Sequence, residues 1–168
     1  MLVKGIAIEG TSIIAREKAA ELRQRGYSQE WIDRAQQYLY DPGISIVREA
    51  RLAVESVTVH AMHDPTEGGL ATALHEVARA ADVGVWIDEA AITIWPECAA
   101  LCTEFGLNPL GTIASGALLV MVPPEETHTL LSVYEAHHVA AARIGRVTTP
   151  EQGLELKSGT ATTALPRF

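Results

Sequence analysis

The chain has 168 residues, 48% hydrophobic and 20% charged, with a formal net charge of −8 from 21 acidic and 13 basic side chains. That length suits one domain with a sizeable core, and the acidic balance argues against general nucleic-acid binding, which needs a basic surface to displace phosphate counterions. No apolar run approaches the ~18 residues of a membrane span, and "MLVKGIAIEG" lacks the apolar stretch and cleavage site of a signal peptide, so a cytoplasmic protein without a membrane partner is predicted.

Residues 2–8 alternate enough apolar side chains for a strand, and "EGTSIIAREKAAELRQRG" reads as a helix with Thr11 as N-cap and Gly26 past its end. A strand entering a helix through Gly10 is a candidate anion-binding turn. Ser28 caps a second predicted helix carrying Trp31, Ile32, Ala35 and Leu39, which "YDPG" breaks. A third follows over 44–56, with Val47, Ala50 and Val54 on one side. Val57, Val59 and Ala61 then alternate with polar neighbours as a half-buried strand.

The next segment, "MHDPTEGGLATALHEVA", leads into an amphipathic helix whose stripe is Leu70, Leu74, Val77, Ala78 and Ala81. Further strands are predicted at 83–88, 116–122, 141–147 and 153–157, with helices over 96–105 and 123–138, the latter started by prolines. Cys98 and Cys102, four apart in a helix, match neither a zinc ribbon nor a Cys-x-x-Cys motif and read as buried packers. The closing "KSGTATTALPRF" is small and polar, as in a loose tail. Strands alternating with helices, without a repeat or long linker, predict a sheet covered by helices.

"HDPTEGG" supports three readings. Asp64 as N-cap, Pro65 at the first helical position and Glu67 three residues on make a capping box. That leaves Gly68 and Gly69 unexplained, because glycine inside a helix costs roughly 1 kcal/mol relative to alanine. Two glycines at a helix foot also let a phosphate or carboxylate approach free main-chain amides, with Thr66 and His63 as further donors. The third reading, a metal held by His63 and Asp64, rests on a single pair. His60, His75, His128, His137 and His138 read as solvated, and no Walker A, Gly-x-Ser-x-Gly or Rossmann fingerprint is present.

Taken in order, "AIEGTSIIARE", "DPGISIVREA", "HDPTEGGLATALHEVA", "GLNPLGTIASGALLVMVP" and "ARIGRV" resemble the C-terminal domain of the AIR synthase-related (PurM/HypE-like) family. The resemblance is nearest to its hydrogenase expression/formation, HypE-like, branch. It implies an α/β (α+β) domain over residues 1–157, with a mixed sheet covered by helices and partly ferredoxin-like topology, followed by a flexible tail at 158–168. Family members join this domain to an N-terminal half that forms a homodimer and supplies acidic residues for magnesium and ATP. They activate an amide-type oxygen or transfer phosphoryl groups in the cleft between the halves.

Carried onto this sequence, the resemblance makes His63, Asp64, Thr66, Gly68 and Gly69 one wall of that cleft, with Glu9, Gly10 and Thr11 in a second turn nearby. ATP and Mg2+ would then be bound only together with an N-terminal half, which is the expected partner beside a small-molecule or protein substrate. HypE-type proteins end in an acceptor cysteine. Here the end is Pro166, Arg167 and Phe168, so self-carbamoylation is not expected, and the chain reads as a domain inactive by itself. The alternative is a non-catalytic binding or regulatory module that keeps the fold.

Overall fold

The first seven residues decide how the chain enters its core. In the computed structural model, which describes all 168 residues, Leu2–Val3 form strand β1 and the extended run then stops. Lys4, Gly5 and Ala7 take positive φ values of 65°, 99° and 57°. Ile6 and Ile8, whose spacing suggested a longer strand, are buried by this turn instead, and only Ile6 bridges to Ile94. Helix α1 begins at once (Ile8–Glu17), so its N-cap is Ala7 and not Thr11. The Thr11 hydroxyl lies inside the helix and donates to the Ala7 carbonyl at 2.7 Å.

The long helix predicted to reach Gly26 is divided at Lys18, with α2 spanning Ala19–Gln24. Helix α3 (Gln29–Gln37) is capped as its sequence predicts: the Ser28 hydroxyl accepts the Trp31 N–H at 3.2 Å. A turn over Leu39–Gly43 with a cis Asp41–Pro42 bond leads to α4 (Val47–Ser56). Of the predicted apolar stripe, Val47 and Val54 face outward, 62% and 54% exposed, while Ala50 is half-buried against the core. The buried face carries Ala53, whose small side chain seats the helix against Val3, Leu118, Leu130 and Tyr134.

The remaining elements follow their sequence signals with shifted ends. They are β2 (Ala61–His63), α5 (Gly69–Ala81), β3 (Gly84–Asp88), α6 (Pro96–Glu104), β4 (Leu118–Met121) and α7 (Thr127–Ala136). The single strand predicted over 141–147 is two, β5 (Ala141–Ala142) and β6 (Gly145–Thr148), one for each sheet. β7 (Leu154–Ser158) precedes β8 (Ala161–Ala164), which occupies part of the expected tail. The β-branched Thr162 and Thr163 suit a strand despite the segment's polar composition, and the buried Leu165 donates its N–H to the Leu154 carbonyl at 2.9 Å.

The α+β class with a mixed sheet stands, but the strands form two four-stranded sheets. The first, in order β2-β4-β1-β5, is antiparallel throughout, with Leu2 opposite Leu119 and Ala61 opposite Met121. Helices cross over between β1 and β2 and between β4 and β5, which gives this sheet its ferredoxin-like character. The second, β6-β3-β7-β8, is mixed, β3 and β7 running parallel with Val85 opposite Leu154. The main core lies where α5 packs over both, through Leu70, Leu74, Ile87, Leu119 and Leu156. A separate cluster of Ala15, Leu22, Ile32, Ala35 and Leu101 ties α1, α2 and α3 to α6. No helix is long and apolar enough to cross a membrane.

Leu101, fully buried in that second cluster, is where the helical layer is most sensitive. Leu101→Ala is expected to lower unfolding free energy by about 2–5 kcal/mol through lost transfer energy and an unfilled cavity, read as a reduced urea midpoint with unchanged m-value.

Candidate functional site

The segment after β2 does not start a helix where its capping signals place it. Pro65 is buried, the chain turns, and α5 begins only at Gly69, with Gly68 as N-cap at φ 74°. Asp64 is therefore not the cap, and no side chain caps this helix. The capping-box spacing is overridden because Gly68 and Gly69 both take left-handed φ, 74° and 63°, a turn that side-chain-bearing residues adopt at a cost. Asp64, Thr66 and Glu67 are left exposed.

What needs a bare backbone at Gly69 is another stretch of backbone. A Cβ here would overlap the carbonyl oxygens of Leu110 and Thr112. The Ala71 N–H donates to Leu110 O at 3.0 Å, and the Thr66 carbonyl accepts from Gly69 and Ala114 at 3.1 and 3.2 Å. Gly10 faces the same loop from the other side: a Cβ on it would lie 3.1 Å from Ile113 O, and its N–H donates to that oxygen at 3.2 Å. The two glycine turns singled out in the sequence are thus brought together, with the 110–114 loop between them. Several of their amides are used by this packing, while the first-turn N–H groups of Glu9 and Leu70 have no backbone carbonyl partner.

The other candidate residues are arranged around this junction. His63 Nε2 lies 2.8 Å from Glu76 Oε2, a contact that fixes the imidazole against the polar face of α5. Thr11 is buried, beneath the surface and not on it, while Glu9 is half-buried. No group of three His, Cys, Asp or Glu side chains is placed to hold a metal ion, and His63 with Asp64 gains no third ligand.

Three participants had no clear sequence signal. Cys102 Sγ lies 3.7 Å from the Thr112 hydroxyl, so α6 supports the loop from below. The hydrogen bond from the Cys98 thiol holds Cys102 down to about 7, whereas Cys98 is pushed up, first by Cys102 and then by burial. Lys4, 4% exposed, donates to the carbonyls of Gly43 and Ser45, both at 2.7 Å, and fixes the entry to α4. Burial lowers its pKa, opposed by the nearby Glu49 carboxylate. The chain end also reaches the site. The Phe168 ring covers Gly111, and His75, read from sequence as solvated, has Nε2 3.1 Å from the Pro166 carbonyl.

Close approach and left-handed strain can be separated at Gly69, because Gly106 has the same φ of 63° with nothing within 4 Å of the position its Cβ would take. Gly106→Ala is expected to cost about 1 kcal/mol from backbone strain alone. Gly69→Ala should cost at least ~2 kcal/mol more, since the overlapping atoms are backbone; equal losses in thermal unfolding would show that the loop gives way freely.

The model of the AIR synthase related protein C-terminal domain matches residues 1–157. Carbamoyl dehydratase HypE of Rhizobium leguminosarum is 41% identical over 98 residues, which cover 57% of this chain and 28% of that protein. The crystal structure of E. coli HypE superposes with a TM-score of 0.74 at 24% identity, over 98% of this chain and 49% of that one. A hydrogenase maturation protein HypE in complex with ATP gives 0.66 at 21% identity, over 99% and 50%. This chain therefore spans about half the length of those solved structures, and at such identities the likeness is one of fold. With the family model covering nearly all of it, the chain belongs to the AIR synthase related proteins, as their C-terminal domain.

Proposed function

We propose that this domain forms the phosphate-facing wall of an ATP-dependent interdomain cleft, and that it is inactive without a second, nucleotide-binding half. One observation carries the reading: Gly10 and Gly69, each in the first turn of a helix of ten or more residues, dock on the same loop. That convergence sets the positive ends of α1 and α5 against one loop, beside which an anion would gain from both dipoles. The Glu9 amide, on a half-buried residue and without a backbone carbonyl partner, and the exposed Thr66 hydroxyl are the donors available to it.

The donor set fits a phosphate group and does not fit a magnesium cage, because no three carboxylate, imidazole or thiol groups converge. Magnesium would take its carboxylates from the other half, as six-coordinate magnesium shared with nucleotide phosphates commonly does. This domain then positions the reacting phosphate, and His63, held by Glu76, borders the site as a donor. Positioning and charge stabilisation are the main demands of phosphoryl transfer. The HypE complex with ATP supports the cleft reading, and the family's carbamoyl dehydratases point to amide activation as the chemistry.

Calorimetric titration with magnesium-ATP, of the chain alone and mixed with the N-terminal domain of a full-length relative, tests this. The expected result is no turnover alone and ATP hydrolysis on mixing. In the mixture, Thr66→Ala should weaken nucleotide affinity about fivefold with an unchanged melting temperature, the loss of one hydrogen bond of ~1 kcal/mol. Turnover by the isolated chain would overturn the inactivity, and a mixture indifferent to Thr66→Ala would move the phosphate elsewhere.

A further inference from the structure

We propose that the cleft between the two sheets is a second binding site, for a small amphipathic organic anion whose apolar body lies between the sheets and whose head meets Arg143. The cleft has a volume of about 450 Å³, inside the ~300–1,000 Å³ range of small-molecule sites. Among its lining residues are Leu74 and Val77 of α5, Val85 and Ile87 of β3, and Leu119 and Met121 of β4. Leu74 and Val77 stand five and eight residues beyond Gly69, roughly 8–12 Å along the helix axis. This cleft is therefore distinct from the glycine junction.

Charge decides the ligand class. The chain is strongly acidic, yet no Asp or Glu lines the cleft, while Arg143 and Arg146 do. Strand alternation separates those two arginines. Arg146 is paired with Trp86, whose side chain points away from Val85 and Ile87, and its guanidinium lies 4.6 Å over the Trp86 ring. Arg143, exposed at the mouth, has no carboxylate within ion-pair distance. An anionic head gains at Arg143 and a cationic one does not, and His60 and Thr127 are further polar side chains of the lining.

The apolar area is also concave, not spread over the surrounding surface. Of the nine large hydrophobic residues exposed on the chain, only Val147 borders this cleft. The other basic groups of the lining are engaged, Arg146 over the Trp86 ring and the Met1 amino group donating to the Val120 carbonyl at 2.6 Å, so a half-open apolar cleft with Arg143 left unpaired suits a small ligand.

Decanoate and decyltrimethylammonium, each below its micelle concentration, are titrated calorimetrically into the full 168-residue chain. Decanoate should bind saturably with one site per chain and the cation should not. Arg143→Glu should weaken decanoate by at least about tenfold, whereas Arg79→Glu, exposed and outside the lining, should leave it unchanged. Val77→Trp, which fills the cleft, should abolish binding; if its melt shows a folding defect, Val147→Trp on the exposed edge strand takes its place. Equal affinity for the two amphiphiles, or indifference to Arg143→Glu, overturns the proposal. So does a dimer, seen by light scattering, that decanoate does not dissociate, because a second copy would then cover the cleft.

Discussion

The close approach of three backbone segments, the first turns of α1 and α5 and the 110–114 loop between them, is the constraint on which the rest of the structure depends. Gly10 and Gly69 are the contact points, and at each the neighbour is a carbonyl group that a methyl would meet. Backbone-to-backbone packing of this kind has little slack, since the loop carbonyls of Ile113 and Leu110, which accept from Gly10 and Ala71, and the Ala114 N–H, which donates to the Thr66 carbonyl, cannot withdraw without breaking those bonds. The loop in turn sets where β4 begins, and β4 lies between β1 and β2 in the first sheet. A displacement at Gly69 is therefore transmitted to the sheet as well as to the helix.

The same junction reconciles two readings of the glycines that the sequence left competing. Their first role is structural, because the loop occupies the space that an absent side chain leaves at Gly69. That packing is also what brings the starts of α1 and α5 against one loop. The arrangement commits the amides of Gly10, Gly69 and Ala71 to internal carbonyls, so these glycines hold the fold together and do not form a continuous nest of free donors.

Long periodic segments and turn chemistry were legible in the sequence, and short-range geometry was not. Ser28 and its helix, the leucine stripe of α5 and the buried β4 all lie where their patterns place them. Asp64 failed as a cap because capping-box spacing carries no information about the left-handed turn at Gly68 and Gly69, which tertiary contact with the loop selects. Val47 and Val54 failed as core positions for a related reason: periodicity identifies a face, but the small Ala50 and Ala53 are what fit against the cluster of Tyr134 and Leu118. Lys4 left no signal at all, since its value lies in the carbonyls of Gly43 and Ser45, some forty residues away in sequence.

The chain end shows how composition can mislead about both order and position. The closing residues look like a tail, but β8 extends the second sheet and the buried Leu165 anchors the C-terminus, so that His75 engages the Pro166 carbonyl and Phe168 settles over Gly111. Gly111 lies inside the loop on which both helix starts dock. The aromatic ring thus shields from above a backbone that Cys102 and Thr112 support from below. Helix α5 thus commits its first turn to this loop and turns Leu74 and Val77, farther along its axis, to the wall of the apolar cleft, so its glycine start and its apolar stripe answer to different neighbours.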